Sequence, residues 1–317
     1  MLSILMPAFN AERYLPTTLE SLLGQDEAEF EIVVCDDGSI DRTAAIVASY
    51  AARDARVRLH RQAHAGASAA RNAAFSMARG TWILYFDADD VLSPASLGAL
   101  MRVARAHPED VVCCAWTHFE TDPRARIGGT PPMPGDIPGW LWVESAFLRD
   151  YPTYPGSFVV PRRWIERCGG WDERVSYQDD MEFYARILSR VETVRFCDGA
   201  LFCYRRGVPG SVSNTGGRRS SESQWLATRL AVQHLLRARD TRRARRAAAR
   251  QLMLVSYAQF LAAPDISREA EALARKQRAG LCWRPWLPGG PTRRLLQSVL
   301  GWKLALKTHA VLRRLKG

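Results

Sequence analysis

The chain has 317 residues, 47% of them hydrophobic and 24% charged, which supports one sizeable core and excludes a disordered chain. Its net charge of +11 is unevenly spread: residues 218–317 carry 22 Lys/Arg against 5 Asp/Glu, and residues 1–217 carry 22 against 28. Seven Cys without a C-x-x-C pair argue against a zinc or redox site, and no apolar run reaches the roughly 18 residues of a membrane span.

The N-terminus lacks a basic segment, and its apolar run is too short for a signal peptide. The cysteines read as small apolar strand residues in a reducing cytosol. In chain order, residues 2–6 predict a buried strand stopped by Pro7, and residues 14–23 a helix. A β-branched strand at 31–35 runs into the turn Asp36-Asp37-Gly38-Ser39. A helix at 43–52, a strand at 57–60, a helix at 67–78 and a strand at 82–86 follow. The last of these ends in Asp87-Ala88-Asp89-Asp90. A helix at 94–106 has Pro near its first turn, and a strand is expected at 111–115.

Residues 121–156 are rich in Pro and Gly and read as a loop or lid. Beyond them the pattern predicts a strand at 157–160, helices at 162–168 and 179–189, and a short strand at 194–197. Residues 206–217 read as a mobile polar segment. From 222 onward the chain is helical, with breaks at Pro264 and at 283–291. No internal repeat is present. Strand–helix alternation over the first half argues for a mostly parallel sheet covered on both faces, whose ligands bind beyond the carboxyl ends of the strands. Both acidic clusters follow strands directly and should face one crevice.

Three carboxylates within Asp87–Asp90 repel one another unless a cation or solvent relieves them. Hard oxygen ligands suit Mg²⁺ or Mn²⁺, which bind through one or two carboxylates plus substrate phosphates. The bland alternative is a solvated turn capping the following helix. For Asp36 and Asp37 the alternative is a helix N-cap.

Four segments in order, Ser3–Asn10, Val34–Thr43, Gly66–Asn72 and Ala78–Asp90, resemble the inverting, A-fold glycosyltransferases of family 2. The resemblance continues more loosely to about residue 213. It implies an α/β, Rossmann-like A-fold domain over residues 1–217, followed by a basic helical region over 218–317. It also implies that Pro7, Ala8, Asn10 and Glu12 lie along the nucleotide. Asp37, with Asp36 beside it and Gly38 opening the turn, would meet a uracil-type base. Asp87, Ala88 and Asp89 would hold the diphosphate through Mn²⁺ or Mg²⁺ bound by Asp87 and Asp89. Arg71, in the intact Ala70-Arg71-Asn72, would neutralise diphosphate charge or tie down the acidic cluster. His64 replaces the Asn of many relatives and reads as a solvated loop residue.

Gly169-Gly170-Trp171-Asp172-Glu173, followed by Asp179-Asp180, resembles the family's base motif, with Asp in the usual Glu position. Asp180 is the implied general base and Asp179 the adjacent catalytic candidate; a cap role at the helix N-terminus is the alternative. Arg205 or Arg206 would face the leaving diphosphate. The Q-x-x-R-W of processive synthases is missing, since Arg163-Trp164 lies upstream without the Gln; addition of one or a few sugars is expected. The expected partners are a UDP-type donor and a glycan or lipid-linked acceptor in cell-envelope or surface glycan synthesis. Nucleic acid is not expected.

The rival classes are a non-catalytic nucleotide-sugar-binding protein and a nucleotidyltransferase. The latter lacks its Gly-rich phosphate loop here. The basic segment at 293–316 reads as an amphipathic helix with Trp302. It would either lie on the inner leaflet of a membrane, attaching a cytoplasmic enzyme, or pack on the core.

Overall fold

The computed structural model describes residues 1–127, 135–208, 216–277, 302–304 and 306. Strands β1 (Leu2–Ala8), β2 (Phe30–Asp36), β3 (Val57–Arg61) and β4 (Trp82–Tyr85) alternate with helices α1 (Leu15–Leu23), α2 (Thr43–Ala51) and α3 (Ala67–Met77). The short β5 (Val91–Leu92) leads to α4 (Ser96–Ala106) and the long β6 (Val111–Phe119). Then come β7 (Ile137–Pro138), α5 (Gly139–Arg149), a 3-10 turn at Pro155–Ser157, β8 (Phe158–Pro161), α6 (Arg162–Cys168), α7 (Asp179–Leu188) and β9 (Thr193–Arg205). Three helices follow: α8 (Arg218–Ala238), α9 (Arg242–Gln259) and α10 (Pro264–Lys276).

All the strands join one sheet in the order β3-β2-β1-β4-β8-β6-β9-β5, with β7 paired to β9. The pairs β3–β2, β2–β1, β1–β4 and β6–β9 are parallel; β8 enters antiparallel between β4 and β6. Because β2, β1 and β4 are parallel neighbours, their carboxyl ends share one edge, and Ala8 pairs with Asp36 there. Fully buried runs such as Leu2–Met6 and Phe30–Asp36 fit strands covered on both faces. Five cysteines, Cys35, Cys113, Cys114, Cys197 and Cys203, are buried strand residues, as expected; none of the six described cysteines is paired.

Besides the unexpected short β5 and the extension of β6 to Phe119, two segments differ most from expectation. Residues 121–156, read as a loop, contain α5: Trp142, Val143, Ala146 and Phe147 bury one helical face against α7 and the C-terminal helices. The expected short strand at 194–197 is the first third of β9. A register shift after Cys114, opposite Asp198-Gly199-Ala200, lets β9 continue along β6 to Arg205. Pro264 breaks the helical run as expected and sits in the first turn of α10. The breaks at 283–291 and most of 206–217 and 293–316 lie outside the described residues.

Helices α8–α10 are not detached. Ala231, Leu235, Ala247 and Leu252 join the core that holds Trp142, Phe158 and Phe183. Glu144 of α5 pairs with Arg243 of α9 at 2.8 Å. Trp302 packs on Tyr257 and Phe260 with ring centroids 6.1 and 5.2 Å apart, and Lys303 pairs with Glu271 at 2.6 Å. No described helix is long and apolar enough to cross a membrane.

Candidate active site

The loops after β1 and β2 are sewn together. Asn10 N–H donates to Ser39 Oγ, Ile40 N–H donates to Asn10 Oδ1, and Arg42 N–H donates to Glu12 Oε2. Asn10 takes φ 49°, the left-handed region that Asn tolerates. Asn10 and Glu12 therefore shape the crevice edge, with Pro7 and Ala8 ending β1 beneath them. Asp36 is fully buried; its Oδ1 accepts from Ser39 N–H, and its Oδ2 lies 3.4 Å from Arg61 Nε. Asp37 accepts from Gln62 Nε2 at 2.7 Å, Ala65 N at 2.9 Å and Gly66 N at 2.8 Å, and His64 Nδ1 stands 2.9 Å from it. Neither caps α2, whose first turn is held by Asp41.

His64 is not a merely solvated residue. It stacks on Phe9 at 4.3 Å and covers Asp37. Gly38 is required here, because its φ is 76° and a Cβ would lie 2.9 Å from His64 N.

After β4, Thr18 Oγ1 donates to the carbonyls of Ala88 and Asp90, fixing the acidic turn on α1. Asp87 and Asp89 are half-buried and Asp90 is buried. Burial and the neighbouring Asp87 charge push the Asp89 carboxyl up; burial and both neighbours push Asp90 up. Asp90 is spent inside the fold, accepting from Arg205 N–H at 2.8 Å, and the turn does not cap α4. Among the described residues no group of three or more His, Cys, Asp or Glu is placed to enclose a metal. The all-oxygen pair Asp87/Asp89 therefore fits only an ion that completes its shell with phosphate and water, as Mg²⁺ and Mn²⁺ do.

Arg71 connects the two carboxylate constellations. Buried on α3, it donates from Nη2 to Asp87 Oδ1 at 2.8 Å and from Nη1 to Asp179 Oδ2 at 2.7 Å. Its guanidinium lies 4.3 Å from the Trp171 ring centre. Burial opposes its charge, but Asp179 and Asp87 outweigh that and raise its pKa. One residue on, Asn72 donates to Trp171 O and accepts from Trp171 N–H, clamping the Gly169–Glu173 loop to α3. Gly170 lets the loop approach this closely: a Cβ would meet Asn72 Oδ1 at 2.5 Å and push the amide off Trp171.

The paired carboxylates at the start of α7 diverge. Asp179 turns to Arg71 and Ser68. Asp180 turns the other way, accepting from Thr153 Oγ1 at 3.2 Å and from Met181 N–H at 2.8 Å. Burial, then the Asp179 charge, pushes the Asp180 carboxyl up to about 7. Asp180 lines a cavity of about 230 Å³ between α5, α7 and α9.

Sequence reasoning missed Thr153, which lies in the segment read as a loop, and offered two arginines where one is already committed. Arg205 is buried, donates from Nε to Asp89 O at 2.7 Å and from Nη1 to Glu120 O, and stacks on Phe119 and Tyr14. Arg206 is the exposed one. Beside Thr153, Tyr154 stacks on Tyr204 at 4.3 Å and bonds His118 Nε2 at 2.8 Å. No local pattern in the sequence announces these contacts, since they join residues 27 and more positions apart.

Comparison with known proteins gives a consistent result. The family model described as glycosyl transferase family 2 matches residues 3–208. EpsJ of Bacillus subtilis, described as an uncharacterized glycosyltransferase, is 30% identical over 223 residues, 67% of this chain and 63% of that protein. A chondroitin synthase of Pasteurella multocida is 35% identical over 215 residues, 66% of this chain but 21% of its own length. The chain thus spans less than two thirds of these relatives. Among solved structures, S. aureus TarS 1-349 superposes with a TM-score of 0.66 at 19% identity, covering 88% of this chain and 80% of that one, which shows the shared fold. The same fragment in complex with UDP-GlcNAc gives 0.63 at 18% identity, over 87% and 91%.

Proposed function

Since the chain belongs to glycosyl transferase family 2, we propose that it transfers a sugar, with inversion, from a UDP-type donor to an acceptor hydroxyl. The observation that carries this reading is Arg71. One buried guanidinium bonds both Asp87 and Asp179, so the strand-end carboxylates and the α7 carboxylates belong to one charge network.

In this reading Asp87 and Asp89 hold a Mn²⁺ or Mg²⁺ ion, which when bound neutralises charge growing on the diphosphate. Arg71 keeps Asp87 aimed while Asp179 balances its second face. Asp180 is the general base: its second neighbour, Thr153, orients it, and its raised proton affinity suits work near neutral pH. The acceptor oxygen gives its proton to Asp180 and forms a bond to the anomeric carbon. The bond to the diphosphate oxygen breaks on the opposite face, its electron pair leaving with the nucleotide. The base of the nucleotide lies along Pro7, Ala8, Asn10 and Glu12 and reaches Asp37 once the exposed His64 side chain swings aside. Arg206, exposed beside the committed Arg205, would approach the leaving group.

The absence of Q-x-x-R-W supports addition of one or a few sugars. The name of one relative, a chondroitin synthase, supports a polysaccharide as the product; its place in the cell envelope or surface is part of the proposal. The basic excess in residues 218–317 supports work on the cytoplasmic side of a membrane, with the catalytic part in 1–217; Trp302, which packs on Tyr257 and Phe260, is not a free membrane anchor. The test is a panel of UDP-sugars scored for UDP release with Mn²⁺, Mg²⁺ or EDTA. Metal-dependent release from at least one donor is expected. A protein that binds UDP but releases none from any donor would instead be a nucleotide-sugar-binding protein.

A further inference from the structure

The cavity at Asp180 has two chemically distinct ends. Asp150, Tyr151, Thr153, Gln178 and Asp180 supply a polar mouth, Asp150 being exposed. Behind them Trp142, Val143, Ala146 and Phe147 of α5 face Met181 and Ala185 of α7. Gln251 of α9 forms part of the wall, and its amide N–H is already donated to Phe147 O at 2.8 Å. We propose that this cavity is the acceptor subsite, and that it takes a compact hydrocarbon group, a ring or short branched chain, attached next to the hydroxyl that faces Asp180.

The proposal rests on the reading of Asp180 as the base, and it adds the chemical class of acceptor. Size comes first. The volume of about 230 Å³ exceeds the roughly 150 Å³ of an apolar cavity known to hold benzene, so one ring fits with its linking atoms. Polarity comes second. A bare sugar would press hydroxyls against Trp142, Val143 and Phe147, where they would lose water without gaining partners. A hydrocarbon group gains there what a sugar loses, while its hydroxyl stays at the mouth, within reach of Asp180. The α9 wall lies beyond residues 3–208, the part that matches the family, so the C-terminal helices take part in choosing the acceptor.

The test uses the full chain with ¹⁵N-labelled Trp at pH 8, the Trp142 indole signal being assigned with Trp142→Phe. Benzyl alcohol, one ring and one hydroxyl, is the probe. It should shift the Trp142 signal saturably. Benzyl methyl ether, which has no O–H to donate to Asp180, should bind at least about fivefold more weakly. Ala146→Phe, which fills the cavity, should abolish the response; Ala185→Leu, on the opposite wall, replaces it should the first variant not fold. No saturable shift, equal binding of alcohol and ether, or a response undiminished in the filled variants overturns the proposal. UDP with Mn²⁺ is titrated into the same samples. UDP binding without a Trp142 response defeats the acceptor subsite alone, whereas absence of UDP binding defeats the transferase reading and this proposal with it.

Discussion

At the scale of single residues, the site is organised by what each carboxylate faces. Asp180 has a proton affinity set by burial and by Asp179, and its pKa lies near 7 rather than the ordinary 3.8. Two consequences follow, with opposite signs for activity and stability. The base must be ionised, so kcat/KM should rise with pH through an apparent pKa near 7 and level off above it. For stability, a folded pKa raised above the unfolded value gives a contribution that is full below about 3.8 and is lost as pH rises through about 7. Asp180→Asn, neutral throughout, should therefore unfold at a higher temperature than wild type at pH 8 and converge with it near pH 4. Each tenfold in proton affinity is worth about 1.4 kcal/mol. Thermal melts at the two pH values check the sign; a variant less stable at pH 8 would mean that Asp180 is not held in a destabilised charged form. Arg71→Ala removes the cation between Asp87 and Asp179. Breaking a buried pair on one side costs about 3–5 kcal/mol, so urea melts should show a loss of that size together with loss of turnover.

At the scale of elements, the sheet was largely legible in the sequence. Short apolar runs gave β1 and β4, and a β-branched run gave β2, within a few residues. Gly169 marked the end of α6, and the Asp pair marked the start of α7. The failures have physical reasons. The helix α5 begins directly after Pro138, and the Pro/Gly run before it hid an apolar face that only tertiary partners reveal. Strand β9 passes through Asp198-Gly199, which reads as a turn, because β6 accepts the bulge. The candidate site was legible where residues form local motifs, as at Asp87, Asp89 and Asp180. It was not legible where one residue depends on another far away: Thr153 on Asp180, Arg205 on Asp89 and Asp90, and His64 on Phe9. Gly170→Ala tests the α3 clamp. Its Cβ would meet Asn72 Oδ1, so Asn72 must turn away from Trp171 and the Gly169–Glu173 loop should loosen and turnover fall; Asn72→Ala, which removes the clamp outright, should lower turnover at least as far, and wild-type turnover in both variants would rule the clamp out.

At the scale of the whole molecule, the acidic residues 1–217 and the basic residues 218–317 meet through α5, with Glu144–Arg243 and Gln251–Phe147 joining them. Liposome flotation on anionic vesicles checks the peripheral attachment: the full chain should float and a chain ending near residue 290 should float less, and equal flotation would remove the membrane from the account. The central claim remains the division of labour between a donor-holding carboxylate pair and a separate base. It is tested most directly by measuring, on Asp180→Asn, both UDP affinity in the presence of Mn²⁺ and the rate of sugar transfer. The account predicts unchanged UDP affinity with transfer lowered by about 10²–10⁴-fold. Transfer at the wild-type rate would contradict it.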